Sequence, residues 1–237
     1  MKILITGGAS GLGETITSTL AENKDNFICF TYFKSTEAAQ QLEEKYKNVK
    51  GIFCDFSDEK SIEKLLDTMN ELGLEVLINN ALTSLTQLHF HKKSADSFLT
   101  SFQTNVMPII RLSQKAIEIF RKNKFGKIIT IVSSYVVNKP PVGLSEYVAE
   151  KNYILSLSNS IAVENASFNI TSNCISPGFM LTELNQGVDE RVIENMRLNH
   201  PLKKILTTQE TTEAVIFLVN ATQQINGTNM IINSSLT

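Results

Sequence analysis

Seven short apolar runs alternate with longer stretches of helical spacing along nearly the whole chain, and that alternation is what most constrains the fold. The runs are Lys2–Thr6, Phe27–Phe33, Gly51–Cys54, Glu75–Asn79, Lys127–Val132, Ile170–Ile175 and Asn229–Ile232. Between them apolar residues recur three and four apart, as in Ser61-Ile62…Leu65-Leu66…Met69 and Ile109-Ile110…Leu112…Ala116-Ile117…Phe120. Ser57 and Ser94 stand where helix N-caps belong. Strand–helix–strand units close as right-handed crossovers, giving a parallel sheet covered by helices on both faces. No linker, repeat or low-complexity tract interrupts the pattern. The expectation is a single α/β, doubly wound domain over residues 1–237, with a parallel sheet of about seven strands.

Composition narrows the function classes. A net charge of −2, spread along 237 residues, leaves no basic footprint for nucleic acid and no polybasic membrane anchor. The longest apolar run, Phe27 to Phe33, is far too short to cross a membrane. The opening strand reaches Gly7-Gly8 too early to supply the apolar core of a signal peptide. Cys29, Cys54 and Cys174 are odd in number and set in apolar runs, which predicts buried, reduced thiols in a cytoplasmic protein. His89-x-His91 lacks a third ligand nearby, so no metal site is expected.

Four of the 11 glycines fall between residues 7 and 13. The segment Thr6-Gly7-Gly8-Ala9-Ser10-Gly11-Leu12-Gly13 lies between the first strand and the first helix. Glycine there permits positive φ and lets backbone approach a pyrophosphate without a Cβ in the way. The helix that follows presents its free N–H groups and positive dipole end to the phosphates. The spacing Gly7-x-x-x-Gly11-x-Gly13 differs from G-x-G-x-x-G, though the mechanics are the same. An acidic residue at the end of the second strand would grip the 2′-hydroxyl of NAD. The stretch Phe30-Thr31-Tyr32-Phe33-Lys34-Ser35 has none, and Lys34 can pair with a 2′-phosphate. NADP is therefore favoured over NAD.

A phenol can give a proton to a carbonyl oxygen as hydride reaches the carbon, if a nearby cation lowers its pKa. Chance supplies about 0.4 Tyr-x-x-x-Lys pairs in a chain with 5 Tyr. Three occur, so geometry must separate them. Tyr46/Lys50 lies at a charged helix end and reads as a solvated face. In Tyr135/Lys139 the lysine precedes Pro140-Pro141, which pushes it out of helical geometry. Tyr147/Lys151 opens an unbroken helical stretch, and it alone meets the i,i+4 requirement. Ser133-Ser134 ends the fifth strand, at the edge where open α/β sheets bind ligands.

Together these residues resemble the short-chain dehydrogenase/reductase family over essentially the whole chain, which implies a Rossmann-type fold. Thr6–Gly13 is similar to T-G-x-x-x-G-x-G and Asn79-Asn80-Ala81-Leu82 to N-N-A-G. Pro177-Gly178-Phe179-Met180-Leu181-Thr182 is similar to P-G-x-x-x-T. The resemblance implies Asn105, Ser134, Tyr147 and Lys151 as catalytic residues, with Asn105 holding a water behind the lysine. Spacing back from Tyr147 selects Ser134, whereas counting forward from Gly126 selects Ser133; Ser134 is taken, since hydroxyl-to-phenol spacing bears directly on the chemistry. The implied cofactor contacts are Gly7, Ser10, Gly11, Leu12, Gly13, Tyr32, Lys34, Asp55, Phe56, Asn80, Ala81, Tyr147, Lys151, Pro177, Gly178, Met180 and Thr182. Two departures stand out: Leu82 replaces a glycine, and Asn233-Ser234-Ser235 stands where relatives often carry an acid and two glycines.

The activity so implied is NADP(H)-dependent interconversion of a ketone and a secondary alcohol. Length and layout are similar to 3-oxoacyl-carrier-protein reductases, so a β-keto acyl thioester is the first substrate expectation. Glu164–Asn169 lacks the basic residue such reductases place before the sixth strand, which keeps a sugar, polyol or secondary-metabolite ketone close behind. Specificity is assigned to residues 180–204, read as a substrate lid. A regulator that binds NADP without turnover is the rival class, and the four catalytic positions argue against it. The family's habit implies a homodimer or homotetramer built on the helices carrying Asn105 and Tyr147.

Overall fold

Strands β1 (Lys2–Ile5), β2 (Phe27–Tyr32), β3 (Val49–Phe53), β4 (Val76–Asn79), β5 (Gly126–Ile131), β6 (Ile170–Pro177) and β7 (Asn229–Ile232) form one parallel sheet. Their order is β3-β2-β1-β4-β5-β6-β7 in the computed structural model, which describes residues 1–83, 85–183 and 187–235. The order reverses at β1, so a crevice opens beyond the carboxyl ends of β1 and β4. Helices α1 (Gly11–Ala21), α2 (Thr36–Lys45), α3 (Glu59–Leu72), α4 (Ala95–Asn105), α5 (Met107–Asn123), α6 (Ser145–Asn165), α7 (Glu190–Asn199) and α8 (Thr208–Asn220) connect and cover the strands.

Both faces of the sheet are buried, which is why the strands read as continuous apolar runs rather than alternating ones. Ile3 and Ile5 pack with Leu12, Ile16 and Leu20 of α1 and with Val215 and Leu218 of α8. Leu4, between them, joins Leu65 and Met69 of α3 and Leu112, Ala116 and Phe120 of α5. Each such side chain contributes about 1.5–3 kcal/mol on burial. A third cluster, Val106, Ile109, Val132, Ile154 and Cys174, seats α6 against β6 and so fixes the helix that carries Tyr147. Lys127 is buried within β5 because its ammonium donates to the carbonyls of Val219 (2.7 Å) and Ala221 (2.5 Å) at the end of α8.

The expected strands all form, with ends within two residues of their predicted places. Of the two expected helix caps one holds, and the reading of Tyr46 changes. Ser94 caps α4, its hydroxyl accepting from Ser97 N–H at 3.1 Å. The cap of α3, however, is Asp58, whose carboxylate accepts from the N–H groups of Lys60 and Ser61; Ser57 instead donates to Asp55 Oδ1 at 2.7 Å. Tyr46 is no solvated residue: its ring is buried in the core and its hydroxyl donates to Glu22 at 3.0 Å. Ser234 and Ser235 hold φ of +53° and +60°, the left-handed conformation that glycine adopts without strain. The three cysteines are buried free thiols.

Candidate active site

The turn after β1 is tied to the end of β4. Thr6 Oγ1 accepts from the N–H groups of Asn80 (2.9 Å) and Ala81 (3.0 Å). The Asn80 amide donates to the carbonyls of Thr6 (3.0 Å) and Gly7 (3.1 Å). Gly7 takes φ +65° and its N–H reaches Thr31 Oγ1 at 2.9 Å. Gly13, inside the first turn of α1, faces that same turn. A Cβ there would overlap the Gly7 carbonyl oxygen and lie 2.7 Å from Asn80 Nδ2. Gly13→Ala is therefore expected to lose about 1–3 kcal/mol of stability, read as a lower urea midpoint at unchanged slope.

The other expected cofactor positions ring this turn. Ser10 precedes α1 in extended backbone and its side chain makes no capping bond. The Leu12 side chain belongs to the core, so its backbone is the part that faces the turn. Tyr32 stacks edge-on to Phe53 at 6.1 Å, and exposed Lys34 lies 5.9 Å from the Phe33 ring. The Asp55 carboxylate accepts from Ser57 N–H (2.8 Å), and with the Ser57 hydroxyl this holds it below the usual carboxylate range. Phe56 packs on the α3–α5 side of the core. At the opposite end, Pro177 closes β6, Gly178 N–H donates to Ile232 O (2.8 Å), and Met180 Sδ accepts from Thr211 at 3.1 Å. Thr182 lies against Gly11, 3.3 Å from where a Cβ on that glycine would sit. A cavity of about 560 Å³ opens here, lined by Gly11, Thr182, Thr208 and the carboxylates Glu14, Glu183 and Glu190. The expected lid spans α7; its residues 184–186 lie outside the described ones.

Helix α6 brings Tyr147 and Lys151 together on one face. Lys151 Nζ sits 5.8 Å from the Tyr147 ring centroid and donates to Ile131 O at 2.8 Å. Burial pushes Lys151 down to about 8, opposed by the negative charge of Glu150. Burial raises the Tyr147 phenol, while a hydrogen bond from Ser133 pulls it down and the nearby Tyr135 adds to the rise. The simple expectation that the lysine lowers the phenol is thus not the balance seen here: desolvation dominates, and Ser133 is the stabilising partner.

That bond bears on the choice of serine. A single-turn helix, Ser134–Val136, follows β5. Ser133 caps that turn, its hydroxyl accepting from Tyr135 N–H at 3.3 Å, and it is Ser133 that bonds the Tyr147 phenol. Asn105, at the end of α4, is buried and fully engaged. Its Oδ1 accepts from Thr83 N–H (3.0 Å) and Oγ1 (2.6 Å), and its amide donates to Ser101 Oγ (3.1 Å) and Glu150 Oε2 (3.3 Å). Thr83 and Glu150 escaped the sequence reading. Thr83 carries no signal in its neighbourhood, but a charged residue directly before Lys151 was visible.

The model for the family described as short chain dehydrogenase matches residues 1–192. The chain belongs to this family. It is 31% identical over 219 residues to the 3-oxoacyl-[acyl-carrier-protein] reductase FabG of Vibrio harveyi, covering 92% of this chain and 88% of that one. The FabG of Haemophilus influenzae is 29% identical over 238 residues, covering 98% and 96%. Among solved structures, ElxO with NADP bound superposes with a TM-score of 0.87 at 26% identity over 98% of this chain and 97% of its own. YwfH, an NADPH-dependent reductase of bacilysin biosynthesis, shares the fold with a TM-score of 0.90 at 21% identity, covering 98% and 96%.

Proposed function

We propose that the protein is an NADP(H)-dependent oxidoreductase interconverting a ketone and a secondary alcohol. The observation that carries this reading is the Tyr147 phenol, hydrogen-bonded to Ser133 and one helical turn from Lys151, at the same sheet edge as the glycine turn. The cradle fits a dinucleotide: no Cβ can enter at Gly13, and Gly7 and Gly11 both hold left-handed backbone. Gly7, Ser10, Gly11 and the backbone of Leu12 would face the pyrophosphate, and Lys34 with Tyr32 the 2′-phosphate end. Asp55 and Phe56 would line the adenine side, and Pro177, Gly178, Met180 and Thr182 the nicotinamide side. Asn80 acts by holding the turn, since its amide is committed to the carbonyls of Thr6 and Gly7. NADPH supplies the hydride when bound.

The residues of the chain handle the proton. Ser133 orients the carbonyl oxygen against Tyr147, and the phenol gives its proton to the developing alkoxide. Lys151, as the ammonium, stabilises the phenolate that remains. The similarity to FabG makes a 3-oxoacyl thioester the first substrate reading, with a neutral ketone or keto sugar as the second.

Steady-state NADPH oxidation with a panel of neutral ketones, keto sugars and 3-oxoacyl thioesters tests both points. Because Lys151 stands at about 8, it is charged below that pH and neutral above it. Reductive kcat is expected to hold below pH 8 and to fall as the pH rises past it. Tight NADPH binding with no carbonyl compound reduced would sink the enzyme reading and favour a dinucleotide-binding regulator.

A further inference from the structure

Two carboxylates, Glu146 and Glu150, lie one turn apart on α6, on the side turned to α4 rather than to the substrate cleft, and both are buried. Glu146 is neutralised by an ion pair with Lys93. Among the described residues Glu150 has no such partner: its Oε2 accepts from the Asn105 amide, Ser101 adds a second hydrogen bond, and its Oε1 is buried without a hydrogen-bond partner. A buried carboxylate left half-satisfied carries the full cost of desolvating its free oxygen. Nothing in the packing of α4 on α6 demands a charge there; an amide would make the same contact to Asn105. The residue next along the helix is Lys151, itself wholly buried and without a carboxylate bonded to its ammonium, which instead donates to Ile131 O.

Resting on the oxidoreductase reading above, we propose that Glu150 is a positioning residue for the proton-handling group: it fixes the Asn105 amide and is the counter-charge that keeps Lys151 protonated. The charged and titratable groups around it are few. On α6 they are Glu146, Tyr147 and Lys151; from the segment before α4 comes Lys93, already paired to Glu146; and Cys174 of β6 and Tyr135 border Lys151 and Tyr147. Lys93 pairs with Glu146, which leaves Glu150 as the buried carboxylate next to Lys151 in the chain with no ion pair among the described residues. Burial raises the Glu150 carboxyl, the bonds from Ser101 and Asn105 lower it, Glu146 raises it, and the Lys151 charge lowers it by the least. The charges of Glu150 and Lys151 each favour the charged form of the other.

Glu150→Gln keeps the shape and the bond to Asn105 and removes only the charge. In 15N-lysine-labelled protein, with the Lys151 signal assigned from Lys151→Arg, the Lys151 midpoint is expected to fall by about one unit in the Gln variant. The high-pH limb of reductive kcat is expected to move down with it, while KM stays put. An unchanged lysine midpoint would overturn the proposal and leave Glu150 a packing residue. The wild-type protein supplies a readout that needs no variant of Glu150: its 13C carboxyl signal is expected to show a step at the Lys151 midpoint, and a flat trace there refutes the coupling. Both measurements are made without substrate, so an absence of ketone reduction would count against the proposed activity and not against the pair.

Discussion

Tyr147→Phe is expected to abolish nearly all ketone reduction, lowering kcat by about 10²–10⁴-fold, while NADPH still binds. The substitution removes one hydroxyl and leaves the ring, so the packing of α6 on β6 and the Lys151 bond to Ile131 O (2.8 Å) stay in place. Ser133 loses one partner but keeps its bond to Tyr135 N–H at 3.3 Å. The loss is therefore confined to the proton. Stopped-flow transfer from NADPH and NADPH fluorescence titration on the same preparation separate the two effects. Retained turnover would show that another acid serves the carbonyl, and a parallel loss of NADPH binding would mean that the ring and not the hydroxyl had been disturbed.

How much of this site could be read from the chain depends on how local its causes are. The glycine turn was legible because its requirement is written in consecutive residues: Gly7 needs positive φ, Gly13 needs to lack a Cβ, and both follow a strand and open a helix. Tyr147 and Lys151 were legible because i,i+4 spacing on an unbroken helix puts two side chains on one face. The strands were found because burial on both faces leaves apolar runs with few interruptions. Contacts that join distant segments were not legible. Asn80 reads as a ligand-facing residue from its motif, yet its amide closes on the carbonyls of Thr6 and Gly7, 74 and 73 residues away. Tyr46 reads as solvated from its charged neighbours, yet its ring is buried and its hydroxyl reaches Glu22. Asp58 prevailed over Ser57 as the cap of α3 because a carboxylate can take two N–H groups at once. The buried position of Glu150 depends on the docking of α4 against α6, which no spacing within α6 reveals.

The serine is where spacing and geometry part, and the expected consequence is large. Ser133→Ala is expected to cost about 10²-fold or more in kcat, the scale of losing one hydroxyl that holds the reacting oxygen. Ser134→Ala is expected to leave kcat within a few-fold of wild type, since no hydrogen bond of the site rests on its side chain among the described contacts. The reason lies in the turn that follows β5. Counting residues from Tyr147 assumes a fixed path between the strand and α6, but the chain here makes a single helical turn over Ser134–Val136, with Ser133 as its cap. The residue nearer the strand is the one bonded to the phenol. The Ser133 bond also opposes the burial that raises Tyr147, so Ser133→Ala is expected to raise the phenol further and to shift the alcohol-oxidation profile to higher pH. A pH profile of oxidation for the two alanine variants decides the matter. If Ser134→Ala carries the loss and the shift while Ser133→Ala does not, the assignment from spacing was right and the hydrogen bond to Ser133 is incidental.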